Sequence, residues 1–190
     1  MKLEQSFDVP APVETVWELL NDLERVAPCL PGAAITERDE DGAYHGTFDV
    51  KLGPTSASYR GVIAIKEADV SARTSTLTAR GQDKRGQGGA NATIVNRLVE
   101  TPEGTRVQAT TDLTITGQLA RFGRPGMIEG VADRLLREFA TCLATQAQRA
   151  QVPEGAEAQA PPAPQARPIS GIRLMLGVLW DRIRRLFGRE

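Results

Sequence analysis

The sequence predicts an α+β fold in which a curved antiparallel sheet wraps around one long C-terminal helix, either packing closely against it or enclosing a hydrophobic cavity. Three observations carry this. After one strand and two short helical stretches, residues 33–116 read as strand and turn alone. A single helix-period stripe then runs from Pro125 to about Arg149. The dry faces of the strands, finally, are rich in Gly, Ala and Ser. Strands segregated from a long helix favour α+β over a parallel α/β arrangement.

Each element has its own signal. Leu3, Gln5, Phe7 and Val9 alternate onto one face of a strand over Lys2–Val9, which Pro10 and Pro12 end. Val13, Val16, Trp17 and Leu20 are spaced as one face of a helix. Asn21-Asp22 opens a second helical turn with Leu23, Val26 and Ala27, stopped by Pro28, and Pro31-Gly32 makes a turn. Asp41-Gly42 marks a hairpin, and Gly53-Pro54 and Pro102-Glu103-Gly104 mark further turns. From Thr105 to Thr116, Val107, Ala109, Thr111, Leu113 and Ile115 alternate with polar residues, as expected of a sheet with one wet and one covered face. The covering element is the long helix, with Ile128, Val131, Leu135, Phe139 and Leu143 along one stripe and Ala132, Leu136 and Cys142 beside it.

Alternation also assigns the inward faces between these landmarks. They are Tyr44, Gly46, Phe48, Val50 and Leu52; Ala57, Tyr59, Gly61, Ile63 and Ile65; Ser75, Leu77, Ala79 and Gly81; and Ala90, Ala92, Ile94, Asn96 and Leu98. Interiors pack near crystal density. Small residues facing a helix therefore mean either close helix–sheet packing or a cavity, and glycine also marks strand bends. A cavity here has apolar walls with sparse polar groups at Tyr59, Ser75, Asn96 and Thr111. That suits a flat hydrophobic ligand held by one or two hydrogen bonds. The expected ligand-binding residues are Trp17, Leu20, Leu30, Phe48, Val50, Tyr59, Leu77, Ala79, Ala92, Asn96, Thr111, Leu113, Leu119, Phe122, Ile128, Val131 and Leu135.

Composition narrows the function. The 190 residues are 41% apolar and 25% charged, normal for one globular domain with an appendage. Residues 1–150 carry 17 Lys+Arg against 20 Asp+Glu, and aromatics are 5% of the chain, which argues against nucleic acid. The single histidine, His45, alternates with Tyr44 and Gly46 and is expected at the surface, so no His-based triad is expected. The acids Asp39, Glu40 and Asp41 read as a solvated hairpin tip, and Asp49 and Asp112 fall on the wet face. Gly86-Gln87-Gly88-Gly89 lacks the Lys-Ser/Thr of a phosphate loop and reads as a turn. Cys29 and Cys142 form no CxxC pair; neither a disulfide nor a zinc site is expected, only two small hydrophobes in a reducing cytoplasm. No catalytic residue and no metal site are expected. Neither a secretory signal nor an apolar run long enough to span a bilayer is evident.

Beyond the domain, taken as residues 1–150, the chain changes character. Residues 151–169 are rich in Pro, Ala and Gln and are expected to form a mobile linker. In residues 170–190, Ile172, Met175, Leu176, Leu179, Trp180, Ile183, Leu186 and Phe187 fall within about 140° of a helical projection. Arg173, Arg184, Arg185 and Asp181 lie opposite. Five Arg against Asp181 and Glu190 give this segment a balance of +3. An amphipathic helix lying in a membrane surface is the expected reading. A helix docked in a partner's groove, or on the domain itself, are the alternatives.

Several segments resemble one family. Val9-Pro-Ala-Pro with Val16-Trp17, then Leu20-Asn21-Asp22 and Pro28-Cys29-Leu30-Pro31-Gly32, are similar to the opening of the CoxG family of carbon monoxide dehydrogenase subunits. Lys51-Leu-Gly-Pro, Tyr59-Arg60-Gly61, Gly81, Gly104-Thr105 and Thr116-Gly117-Gln118-Leu119-Ala120 continue the resemblance, which covers about residues 1–148. It implies a START-like (SRPBCC) helix-grip fold that holds hydrophobic ligands between sheet and helix. It also implies association with a molybdenum hydroxylase of the carbon monoxide dehydrogenase type at the inner face of the cell membrane, and it transfers no catalytic residue. Three functions follow as expectations. The first is a non-enzymatic carrier of a lipophilic ligand, a respiratory quinone (menaquinone or ubiquinone), with no covalent cofactor. The second is a membrane anchor or assembly factor without a ligand, and the third a small-molecule cyclase or isomerase, for which fold alone is a weak warrant.

Overall fold

The computed structural model describes residues 1–52, 55–117, 120 and 126–151. The predicted tail helix, and the predicted linker beyond Gln151, lie outside the described residues. The order is β1 (Lys2–Val9), α1 (Val13–Asn21), α2 (Leu23–Val26), a 3₁₀ turn (Ala27–Cys29), β2 (Ala33–Arg38), β3 (Tyr44–Leu52), β4 (Thr55–Asp69), β5 (Thr74–Asp83), β6 (Gly89–Thr101), β7 (Gly104–Ile115) and α3 (Met127–Ala150). The predicted strand–helix–helix–sheet–helix order is what the chain adopts.

All seven strands join one antiparallel sheet in the order β1-β7-β6-β5-β4-β3-β2. Local chemistry fixes the turns. In the β2–β3 hairpin the Asp39 carboxylate accepts the Ala43 N–H at 2.7 Å, with Gly42 in the left-handed region. That N–H is the main reason Asp39 titrates below the usual carboxylate range, with the His45 ring a further one. Between β4 and β5, Asp69 accepts from the backbone of Ser71 and Ala72 and from the Ser71 hydroxyl. Such a side chain mimics a turn of backbone. Bulges near residues 36 and 66 interrupt the ladders of β2 and β4, a device that adds bend and twist.

The register matches the inward faces that alternation assigns. Gly46 pairs with Gly61, Gly61 with Gly81, Gly81 with Ala90 and Ala90 with Ile115. The next row is Tyr44, Ile63, Ala79, Ala92 and Leu113. A one-residue slip would have reversed every one of these faces.

The main core lies at the α1 end of the sheet. Val9, Val16, Leu19, Val107 and Leu143 are all at most 1% exposed there, and Trp17 packs among them. Val16, Trp17, Leu19 and Leu20 form the buried stripe of α1. In α3 the only fully buried positions are Leu143 and Ala147, both in its C-terminal half.

One expectation is overturned. Cys29 and Cys142 form a disulfide across a sequence separation of 113, and the described residues hold no free cysteine. Spacing rules recognise local pairs. This pair exists because the fold lays the 3₁₀ turn against the C-terminal half of α3. Gln146 reinforces the junction: its Nε2 donates to the Arg25 carbonyl at 3.0 Å and lies 3.2 Å from the Cys29 sulfur. A cross-link closing so long a loop constrains the unfolded chain strongly. Cys142→Ser, or reduction of the wild type, is therefore expected to lower the unfolding free energy by about 2–4 kcal/mol. Urea denaturation with and without reductant measures this, and equal midpoints for the wild type would refute it.

Candidate functional site

Between the sheet and the N-terminal half of α3 lies a cavity of about 520 Å³, partly open to solvent. Its floor is formed by all seven strands, β2 contributing Ala33, Ala34 and Ile35, its roof is Ile128, Val131, Ala132, Leu135, Leu136 and Phe139 of α3, and Leu20, Leu23, Val26, Ala27 and Leu30 close one side. The cavity sits between two apolar clusters. The main core is at one end, where Phe7 of β1 meets Phe139 of α3 edge-on with ring centres 6.1 Å apart. At the other end Ala57 and Tyr59 are buried among Phe48, Val50, Ala90, Ile115 and Val131.

The small residues of the floor divide into two kinds. A Cβ on Gly61 would lie 2.2 Å from the Arg80 carbonyl oxygen, and one on Gly46 would lie 2.4 Å from that of Ala34. These two glycines serve the close approach of neighbouring backbone. Ala79, Ala92 and Ala109 are instead short side chains on the cavity wall. No residue of α3 before Leu143 is fully buried, so close helix–sheet packing does not account for them.

Most of the expected ligand-binding residues come together. Leu20, Leu30, Phe48, Val50, Tyr59, Leu77, Ala79, Ala92, Asn96, Thr111, Leu113, Ile128, Val131 and Leu135 all line the cavity. Trp17 does not: the inner face of α1 puts it in the main core, 8% exposed. Leu119 and Phe122 lie outside the described residues. Leu3, Gln5 and Phe7 line the cavity as well; their alternation is local, but the position of β1 beside β7, which brings them to the wall, depends on long-range pairing.

Polar groups are few. Gln5 donates to the Asp133 carboxylate on α3 at 2.7 Å and ties the roof to the sheet. Asn96 and Thr111 stand on the floor, and Asn96 is the register partner of Ser75. The Ser75 hydroxyl is buried without a hydrogen-bond partner, a cost of about 1–3 kcal/mol. Tyr59 is 7% exposed. Burial, and secondarily the nearby Asp83 carboxylate, raise its pKa above the ordinary 10.0. His45 borders the cavity, but its side chain is 42% exposed and its Nε2 lies 3.3 Å from an Asp39 oxygen. No group of three or more His, Cys, Asp or Glu among the described residues is placed to hold a metal ion. The site offers an apolar enclosure with neutral hydrogen-bonding groups, the chemistry of binding a hydrophobic molecule.

A curved seven-stranded antiparallel sheet closed by a C-terminal helix over an apolar cavity defines a START-like α+β protein, as solved structures bear out. A conserved protein from Geobacillus kaustophilus superposes with a TM-score of 0.69 at 22% identity, covering 79% of this chain and 97% of that one. The Zhui aromatase/cyclase from Streptomyces sp. R1128 gives 0.56 at 18% identity, covering 82% and 98%. A START superfamily protein from Mycobacterium smegmatis gives 0.54 at 17% identity, covering 78% and 98%. Residues 6–148 match the CoxG family of carbon monoxide dehydrogenase subunits, and the chain belongs to that family. A comparison with curated proteins gives no match.

The two kinds of floor residue predict opposite behaviour. Ala92→Leu fills the cavity and is expected to cut the affinity for an apolar fluorescent probe by more than about tenfold, at a stability cost below about 1.5 kcal/mol. Gly61→Ala forces backbone apart and is expected to cost about 1–3 kcal/mol. Probe titration and thermal melting of both variants check the contrast. For Tyr59 the folded pKa lies above the unfolded value. Its contribution to stability is thus complete below about pH 10 and is lost as pH rises through the folded pKa. Ultraviolet titration of the wild type against Tyr59→Phe should show one late phenol ionisation missing from the variant.

Proposed function

We propose that this protein is a membrane-associated carrier of a hydrophobic ligand rather than an enzyme. The ligand we assign is a respiratory quinone, menaquinone or ubiquinone. The carrier moves it between the membrane and a molybdenum hydroxylase of the carbon monoxide dehydrogenase type. The observation that carries this reading is the cavity of about 520 Å³, walled by apolar side chains between sheet and helix. Its size falls within the range of small-molecule sites.

A quinone head is flat and apolar, with two carbonyl oxygens that only accept hydrogen bonds. Tyr59, Asn96 and Thr111 supply donors on an apolar wall, so the residues present fit such a group. Family membership supports the choice of partner, since the family is named for a component of carbon monoxide dehydrogenase. Residues 170–190, with Trp180 and Phe187 opposed by arginines, support recruitment to a bilayer surface. Among the described residues no helix is long and apolar enough to cross a membrane. An anchor or assembly factor without a ligand needs no such enclosure, and the cavity favours the carrier over it.

Gently purified protein, extracted and analysed by mass spectrometry, is expected to yield a quinone. A short-chain analogue at saturating concentration is expected to raise the melting temperature by several degrees. If neither quinone nor other lipid co-purifies, and analogues neither bind nor stabilise, the carrier reading falls. Deleting residues 170–190 is expected to weaken membrane association sharply while analogue binding persists; unchanged membrane association would refute the role of the tail.

A further inference from the structure

We propose that the domain itself carries an anionic-membrane contact surface: the exposed cations Lys51, Arg60, Lys84 and Arg85 at the sheet end formed by the β3–β4 and β5–β6 connections. It rests on the carrier reading only for what is exchanged there.

In an antiparallel meander, successive hairpins alternate between the two ends of the sheet. The β2–β3, β4–β5 and β6–β7 turns lie at one end and the β3–β4 and β5–β6 turns at the other. Charge follows this division. The first end holds Glu37, Asp39, Glu40 and Asp41 on one hairpin, and Glu67, Asp69, Glu100 and Glu103 on the other two. The cations there are Arg73, which pairs with Glu14 at 2.6 Å, Arg38, which lies over the Tyr44 ring, and Lys66 and Arg97, and the acids outnumber them.

The opposite end carries Lys51 on β3, Arg60 on β4, Lys84 and Arg85 in the β5–β6 turn, and Arg80 close by. They are brought together by the ladder. Arg60 is the register partner of Gln82, and the Lys84 N–H donates to the Ser58 carbonyl at 2.8 Å. The nearby carboxylates have other partners: Asp49 accepts the Ser58 hydroxyl, and Asp83 accepts the Arg85 backbone N–H at 2.8 Å. The ion pairs among the described residues include none of the four proposed cations.

A domain with one basic and one acidic end orients in the field of a negative bilayer, basic end down. The basic end is also the Tyr59 end of the cavity, where Phe48, Val50, Ile115 and Val131 surround that ring. A bilayer met by the four cations therefore lies nearest this apolar end of the cavity, and the acidic hairpins point away from the lipid.

The test uses the full chain and vesicles of phosphatidylcholine with or without phosphatidylglycerol. Lys51→Gln, Arg60→Gln, Lys84→Gln and Arg85→Gln together are expected to weaken sedimentation with phosphatidylglycerol vesicles at least about 50-fold, each cation being worth up to about fivefold. Binding to pure phosphatidylcholine should not change. The side chains are exposed, and thermal melting verifies that the variant is folded. Should it fail to fold, two wild-type measurements decide. Vesicle binding should fall steeply as salt rises to about 0.5 M, and phosphatidylglycerol should protect the amides of residues 82–89 from hydrogen exchange. Wild-type-like binding of the folded variant would overturn the proposal, as would unprotected amides in vesicle-bound protein. So would a finding that the substitutions impair only binding to an acidic protein. Ligand uptake in vesicle-free solution reads the carrier proposal separately.

Discussion

Leu143 and Ala147 are the two positions at which α3 is fully covered, and both lie in the half of the helix cross-linked through Cys142 to Cys29. Gln146 ties the same half to the 3₁₀ turn. Everything N-terminal of this junction is held differently. Ile128, Val131, Leu135 and Leu136 face the sheet across the cavity without being buried in it. Among the described residues, the hydrogen bond from Gln5 to Asp133 is the one side-chain polar tie from that span to the sheet. The helix is held most firmly at its C-terminal half, and the span from Ile128 to Phe139, which meets the sheet through Val131 and Phe139, is the roof of the site.

Such a roof needs a floor that does not rise to meet it. A floor of leucines and isoleucines would close the gap and join the two apolar clusters into one core. The row from Ala79 through Ala92, together with Ala109, prevents this. Gly46 and Gly61 contribute in another way, by letting backbone approach so closely that no side chain fits. Curvature and volume thus come from different residues of one small-residue pattern. The arrangement forgoes the burial that a filled core provides, about 25 cal/mol per Å² of apolar surface. The α1 core and the long-range disulfide are where that stability is recovered.

These distinctions mark how far the sequence could be read. Periodicity reads β1, β3, β7, α1, α2 and α3 to within about two residues, because each depends on local alternation or capping, while the bounds of β2 and the full lengths of β4–β6 come only from the pairing. The inward faces also followed, since the pleat has a period of two and the bulges near residues 36 and 66 fall outside the cavity rows. What could not be read was pairing across long separations. Cys29 with Cys142 is one instance. The placement of β1 beside β7, which brings Leu3, Gln5 and Phe7 to the wall, is another. Trp17 shows a subtler limit. The helical stripe correctly turns it inward, but inward at the α1 end means the core. The charge polarity of the two ends was equally hidden, because it emerges only when alternate hairpins are sorted by the topology.

A lipophile that leaves a bilayer for this cavity exchanges one apolar solvent for another, so the hydrophobic effect hardly favours either side. The few polar groups on the wall then set orientation rather than a deep energy well. A site lined with many matched donors would bind more tightly and release more slowly, since affinity differences among related sites lie mostly in the dissociation rate. Sparse polarity is therefore what reversible transfer requires. An unequal distribution of charge at the two ends gives such transfer a direction in space without adding to the affinity of the site. On that view the apolar wall and the segregated surface charge are complementary: one makes exchange nearly neutral in energy, and the other decides which end of the protein the exchange takes place through.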